Sequence, residues 1–249
     1  MSLVAIILTG NEASNVAACI ESVKWADSVL VFDSFSTDDT VKIATDTGAR
    51  TIQHAFASYT AQRNAALEAV TDDWVFFIDA DERSTPEQAE EIRRRIASET
   101  FDGYWVPRHN YIFGRLTRHT GWYPDYQMRL LRRAKAYYDT SRDVHELVVL
   151  EGEAGYLATP LIHYNYRSLD HFLKKQEVYT DYAARDLFRQ GIRAKPQNYV
   201  LQPLRQFKWR FVTLQGYRDG LHGLRLSLLM AWYEFQKYVR LNREWHRAE

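Results

Sequence analysis

Apolar residues in the first third of the chain fall in short unbroken runs, and most of these runs stop on a polar or acidic residue. Arg50-Thr-Ile52 reads as a short third strand among them, and the apolar runs are Leu3-Val-Ala-Ile-Ile-Leu8, Ser28-Val-Leu-Val-Phe32 and Trp74-Val-Phe-Phe-Ile78. Runs of this kind, without polar alternation, predict strands buried on both faces of a sheet. Helical signals lie between them. Val16, Ile20 and Val23 share one face of a helix with Asn11 or Ser14 as cap, and the hydroxyl-rich turn Ser34–Thr40 opens a second helix that Gly48 closes. A third helix is expected near Tyr59–Val70. A fourth starts at Thr85, with Pro86 in the first helical position and Gln88 completing a capping box. The alternation predicts an α/β fold, Rossmann-like, with a mostly parallel sheet and right-handed crossovers.

The middle of the chain has a different texture. Tyr104–Val106, Gln127–Arg132, Ala136–Asp139, Val144–Leu150 and Leu161–His163 read as short strands separated by Gly and Pro, which adds antiparallel strands to the same sheet. From Ser168 the pattern is helical to about Gly191, and again from Gly220 to Asn242. In the second of these helices Leu221, Leu224, Leu228, Trp232, Phe235 and Val239 recur at helical spacing, with Arg218, Arg225, Lys237, Arg240 and Arg243 among or just outside them. That stripe either lies on an anionic membrane face or packs on the rest of the chain or on a second subunit of a homo-oligomer. The expected division is 1–166 for the α/β domain and 167–249 for a basic helical extension.

Charge sharpens the division. The chain is formally neutral, yet residues 167–249 carry 16 Lys and Arg against 8 Asp and Glu, leaving the first two-thirds acidic. Overall neutrality gives no nucleic-acid footprint. The single cysteine, Cys19, lies in an apolar helical pattern, so neither a disulfide framework nor a thiolate metal site is expected. No apolar run approaches a membrane span and none looks like a signal segment, which makes a cytoplasmic protein the expectation. Gly-x-Gly-x-x-Gly and Gly-Lys-Ser/Thr motifs are missing, so dinucleotide and P-loop chemistry is not indicated.

The candidate chemistry sits where strands end. Asp79 and Asp81 follow the Trp74–Ile78 run, and ligands of open α/β sheets bind beyond the carboxyl ends of strands. Residues i and i+2 of an extended chain point the same way, so both carboxylates can face one divalent cation. Taken alone, Asp-x-Asp is also an ordinary solvated strand end.

Thr9 to Glu12, Asp33, Ser36-Thr37-Asp38, Arg63-Asn64 and Asp79-Ala80-Asp81 together resemble the family 2 glycosyltransferases of GT-A fold. The segments Trp122-Tyr-Pro-Asp125…Arg129-Leu130, Val144-His-Glu146 and Pro160-Leu-Ile-His-Tyr164 are similar to the branch containing bacterial lipopolysaccharide-core β-1,4-glucosyltransferases. The resemblance implies an inverting hexosyl transfer, glucose first, from a UDP-sugar to a cell-envelope glycan, dependent on Mg²⁺ or Mn²⁺. It also implies a nucleotide-sugar half over about 1–100 and an acceptor half over about 101–166. Donor-binding residues would be Thr9, Asn11, Glu12, Asp33, Ser36, Arg63, Asp79 and Ala80, with Asp33 accepting from a uracil N3–H and Arg63 reaching phosphate. Metal ligands would be Asp81 and Asp79, with His163 and His145. Glu146 is the favoured base and Asp125 the second candidate; Glu146 could otherwise pair with Arg129 or Arg142. Transfer to a polyprenyl phosphate, or a non-catalytic nucleotide-sugar-binding module, are the alternative functions. Work at the inner face of the cytoplasmic membrane is expected from the acceptor class.

Overall fold

The computed structural model describes residues 1–139 and 148–248. Along the chain come β1 (Leu3–Thr9), α1 (Val16–Val23), β2 (Ser28–Asp33), α2 (Thr40–Asp46), β3 (Arg50–Gln53), α3 (Tyr59–Glu68), β4 (Trp74–Asp79), β5 (Glu82–Arg83) and α4 (Pro86–Ser98). They are followed by β6 (Gly103–Ile112), β7 (Arg115–Leu116), β8 (Tyr126–Arg132), β9 (Ala136–Tyr138), β10 (Val148–Leu150), β11 (Ala154–Tyr156), β12 (Leu161–Tyr166), α5 (Leu169–Arg189), α6 (Asn198–Lys208) and α7 (Gly220–Ala248). Two compact units result. One is Met1–Arg108 with Asp125–His163, the other His109–Pro124 with Tyr164–Glu249.

The main sheet runs β3-β2-β1-β4-β8-β6-β12-β5, with β7 and β11 also on β6. The first four strands are parallel, and β8 then pairs antiparallel with both β4 and β6. Alternation along β1 and β4 decides which residue meets which layer. Leu3, Ala5, Ile7, Trp74, Phe76 and Ile78 face one core with Cys19 and Ile20 of α1 and Ile92 of α4. Val4, Ile6, Val75 and Phe77 face the other, with Ala66 and Leu67 of α3. Both faces of the central strands are therefore dry, which is why their sequences show no polar alternation. Truncating Phe76 to Ala would cost about 3–5 kcal/mol on this account.

Two helix starts differ from expectation. Asn15, not Asn11 or Ser14, precedes α1 and makes no side-chain cap; its amide donates instead to Glu12 Oε2 at 2.6 Å. Thr85 does cap α4, accepting from the Gln88 N–H, but the Gln88 side chain donates to the Thr159 carbonyl 3.0 Å away, so the capping box is half made. The tertiary acceptor draws the Gln88 amide away from the Thr85 N–H, the donor that a full capping box would use.

In the second unit, Phe172 of α5 and Leu226 and Tyr233 of α7 enclose Ile112 and Tyr166 in a small core. Burial pushes the Tyr166 hydroxyl up to about 12. Between α5 and α7 the chain forms α6 and then a π-helical turn over Trp209–Thr213, neither of which the periodicity announced. Gly223 is required by a backbone approach: a Cβ there would lie 1.9 Å from the Gly216 carbonyl oxygen. No helix among the described residues is long and apolar enough to cross a membrane.

Candidate active site

Strand register gathers the candidate residues. Thr9 pairs with Asp33 across β1 and β2, and Leu8 pairs with Asp79 across β1 and β4, so the three strand ends share one edge of the sheet. Asp33 is fully buried there. Its Oδ1 accepts from Thr9 Oγ1 at 2.9 Å and from Ser36 Oγ at 2.5 Å, and its Oδ2 accepts from the Ser36 N–H at 2.8 Å and Gln53 Nε2 at 3.2 Å. Four hydrogen bonds fill the acceptor capacity of a carboxylate. Asp33, expected to face a uracil, is spent in this arrangement on the loop around it.

That loop is bound to the one after β1. The Asn11 N–H donates to Ser36 Oγ, and Asn11 Oδ1 accepts from the Thr37 N–H, both at 2.8 Å. The Glu12 N–H donates to Thr40 Oγ1 at 2.8 Å. Asn11 and Phe35 both hold left-handed backbone, which asparagine adopts more readily than most residues and phenylalanine rarely, and Phe35 is exposed. Thr9, Asn11, Glu12, Asp33 and Ser36 thus form one connected rim, although their spacing in sequence hides it.

Asp79 continues the face of Val75 and Phe77 and so meets α3 and β8. Arg63 of α3 lies over the Phe77 and Tyr138 rings and reaches Asp79 Oδ1 at 3.5 Å; it is buried, not extended toward the outside. Arg129 of β8 grips the same carboxylate through Nη1, 3.1 Å from Oδ1, and through Nη2 on Oδ2. Burial alone would raise the Asp79 carboxyl, but Arg129, then Arg63 and Arg108, outweigh it and hold it well below the usual carboxylate range. Arg129, resisted by its own burial, is pushed up by Asp79 and Glu82.

Sequence reading missed the next two members. Glu82, fully buried, accepts the Asp79 N–H on Oε2 at 2.9 Å, while its Oε1 lies 3.4 Å from Arg129 and 3.1 Å from Arg108. Arg108 in turn donates to Asp125 Oδ2 from Nε at 3.0 Å and from Nη2 at 2.7 Å. The result is an alternating line of charges, Arg63, Asp79, Arg129, Glu82, Arg108, Asp125. The only available clue was unusual: a glutamate just after Asp-Ala-Asp and arginines inside strands.

Asp81 stands apart from the line. His163 Nε2 is 3.5 Å from Asp81 Oδ2, brought there because β12 pairs with β5 at His163 and Glu82. Ala80 is buried and its carbonyl accepts from Arg83 Nη1 at 2.8 Å. Among the described residues no group of three or more His, Cys, Asp or Glu side chains is arranged to hold a metal ion. A carboxylate and an imidazole still suit a Mg²⁺- or Mn²⁺-type ion that takes its remaining ligands from phosphate and water. Asp79 does not fit that set while the arginines hold it. His145 and Glu146 lie outside the described residues.

Comparison with known proteins agrees with this architecture. The model of the family described as glycosyl transferase family 2 matches residues 4–157. The lipopolysaccharide core biosynthesis glycosyltransferase LpsC of Rhizobium meliloti is 30% identical over 94% of this chain and 90% of its own length. An uncharacterized glycosyltransferase of Rickettsia felis is 29% identical over 95% and 88%. The structure of Staphylococcus aureus TarS residues 1–349 in complex with UDP-GlcNAc superposes with a TM-score of 0.50 at 12% identity, covering 100% of this chain and 93% of that one, a likeness of fold. With the family model spanning well over half the chain and the LpsC likeness running nearly end to end, the protein is a glycosyltransferase of GT-A fold and belongs to glycosyl transferase family 2.

Proposed function

We propose that the chain transfers a hexose, glucose foremost, from a UDP-sugar to a cell-envelope glycan of the lipopolysaccharide-core type, with inversion, at the inner face of the cytoplasmic membrane. The observation that carries the donor half is the Asp81–His163 pair beside an Asp79 already neutralised by arginine. A carboxylate and an imidazole side by side, beyond the carboxyl end of β4, are the kind of ligands that a diphosphate with its cation takes from a protein. The acceptor class is supported by the name of the Rhizobium relative.

Mg²⁺ or Mn²⁺, held by Asp81 and His163, would supply charge stabilisation to the departing nucleotide. The rim from Thr9 to Glu12 and Asp33 to Thr37 receives the nucleoside, with Asp33 acting through the Ser36 and Thr9 hydroxyls that it orients. Arg63 and Arg129 keep Asp79 ionised and fixed. Inversion needs a carboxylate to take the proton of the acceptor hydroxyl as that oxygen attacks the anomeric carbon. Asp125 is held by Arg108 through two bonds, which commits one of its oxygens and leaves the carboxylate less available to an acceptor hydroxyl. Glu146 is therefore assigned the proton, and Asp125 the anchoring of Arg108.

The decisive experiment is donor binding by calorimetry with UDP-, GDP- and TDP-sugars, with and without Mn²⁺, on the intact chain and on Asp81→Ala. The expected result is selective UDP-sugar binding strengthened by Mn²⁺, with both affinity and metal response lost in the variant. Equal affinity and an unchanged metal response in Asp81→Ala would overturn the donor assignment. Turnover with UDP-glucose on a lipopolysaccharide core acceptor then tests the acceptor class.

A further inference from the structure

We infer that α6, the π-helical turn after it and the outer stripe of α7 form a surface that docks on an anionic lipid bilayer. Isolated exposed apolar residues are ordinary, but a continuous group of them marks an interaction surface. Helix α6 contains no buried residue and presents Val200, Leu201 and Leu204 to solvent. Trp209 and Val212 of the π-helical turn are likewise exposed. On α7 the inward positions are Leu226, Tyr233 and Leu241, which leaves Leu221, Leu228 and Trp232 outside, Leu221 at 82% exposure. These last three border an open groove of about 390 Å³ that includes Arg225. Ring contacts join the two helices: Trp232 stacks on Phe235 at 5.5 Å, and Phe235 meets Tyr199 of α6 edge-on at 6.1 Å.

Charge identifies the occupant. Between residues 198 and 235 the cations are Arg205, Lys208, Arg210, Arg218 and Arg225, and the acids are Asp219 and Glu234, the latter paired with Lys237. Asp219 is already committed, accepting from the His119 N–H and lying 2.9 Å from His119 Nδ1. Arg210 turns inward to the Thr120 carbonyl, while the other four cations are exposed. In a chain of zero formal charge this surplus is local. A second copy seated here through a two-fold axis would set these cations against their own kind, a repulsive pairing. Anionic headgroups complement them, and the interleaved Trp and Leu side chains enter the acyl boundary.

This surface deepens the membrane part of the reading above and is independent of its chemistry. The test is flotation of the full chain with vesicles of equimolar phosphatidylglycerol and phosphatidylcholine, or of phosphatidylcholine alone, across a salt series. Two surface variants are compared with the parent: R205Q with K208Q, and L204S with W232S, each checked for unchanged circular dichroism and UDP-sugar affinity. The parent is expected to float with the anionic vesicles only, and less as salt rises. The charge variant should bind about 30-fold more weakly, two cations each contributing the usual increment at an anionic surface, and the apolar variant should lose binding with donor affinity intact. Vesicle binding indifferent to lipid charge, binding unmoved by either variant, or no binding with a dimer that the apolar variant dissolves, would each overturn the proposal. Failure to bind any UDP-sugar would count against the chemistry instead.

Discussion

Arg129 serves two carboxylates at once: it holds both oxygens of Asp79 and lies 3.4 Å from Glu82 Oε1. The side chains of Arg129 and Glu82 are almost entirely shielded from water, so the pairing has little solvent to replace it.

Removing that cation leaves Asp79 with the longer Arg63 contact and Glu82 with Arg108 in place of a shared buried partner. Arg129→Met is expected to destabilise the fold by about 3–5 kcal/mol, the usual cost of breaking a buried pair from one side. Urea unfolding measures this directly. A loss below about 1 kcal/mol would show that the line of charges is not structurally coupled.

The same pair predicts an acid dependence with a definite sign. Arginine holds the folded-state value of Asp79 below that of the unfolded chain. Its stabilisation is therefore complete above the unfolded carboxylate value of about 3.9 and is lost as pH falls toward the lower folded value. Parent and Asp79→Asn should differ in stability at pH 7 and converge as the medium is acidified below about pH 4. Unfolding midpoints that stay equally far apart throughout would contradict the assignment.

Asp33→Asn should affect the rim more than the sheet. The amide keeps one oxygen and turns the other acceptor into a donor, which opposes the Ser36 N–H and Gln53 Nε2. About 1–3 kcal/mol of stability is expected to go with the unmatched buried groups. UDP affinity should fall about tenfold while its Mn²⁺ response stays, because Asp81 is untouched. Calorimetry separates the two effects.

For the base, Glu146→Gln should leave UDP-sugar affinity unchanged and lower turnover by about 10² to 10⁴-fold. Asp125→Asn should cost less turnover, since it weakens the grip on Arg108 without removing the proposed proton acceptor. A dead Asp125→Asn beside an active Glu146→Gln would reverse the two roles.

Cys19 offers a simple control on the core. It has no exposed surface, its Sγ lies 3.5 Å from the Asp79 carbonyl, and burial pushes its thiol far above the ordinary range. Native protein should resist an aromatic disulfide reagent at pH 8 and react fully in denaturant. Rapid reaction of the native chain would mean that the layer between α1 and β4 opens readily.

The pattern along the chain was enough to determine the parallel half of the sheet. Strands such as Trp74–Ile78 are buried on both faces, and a run without polar positions has few other places to go. Helix starts with strong local chemistry, such as Thr85-Pro86, were equally legible. The strand-end acids were legible as candidates because ends of parallel strands are where ligands meet this class of fold. Only tertiary structure decided what each acid does. Asp33 is saturated by partners from β1, β3 and its own loop, and Asp79 is claimed by arginines 16 and 50 residues away. Glu82 and Arg108 entered the site through strand pairing, which a single sequence does not display. Helix α6 was hidden for a local reason: Pro203 lies inside it, and a proline ordinarily marks a break in a helical pattern. Local sequence records what one element needs to form, whereas partners distant along the chain are chosen only when the fold brings them together.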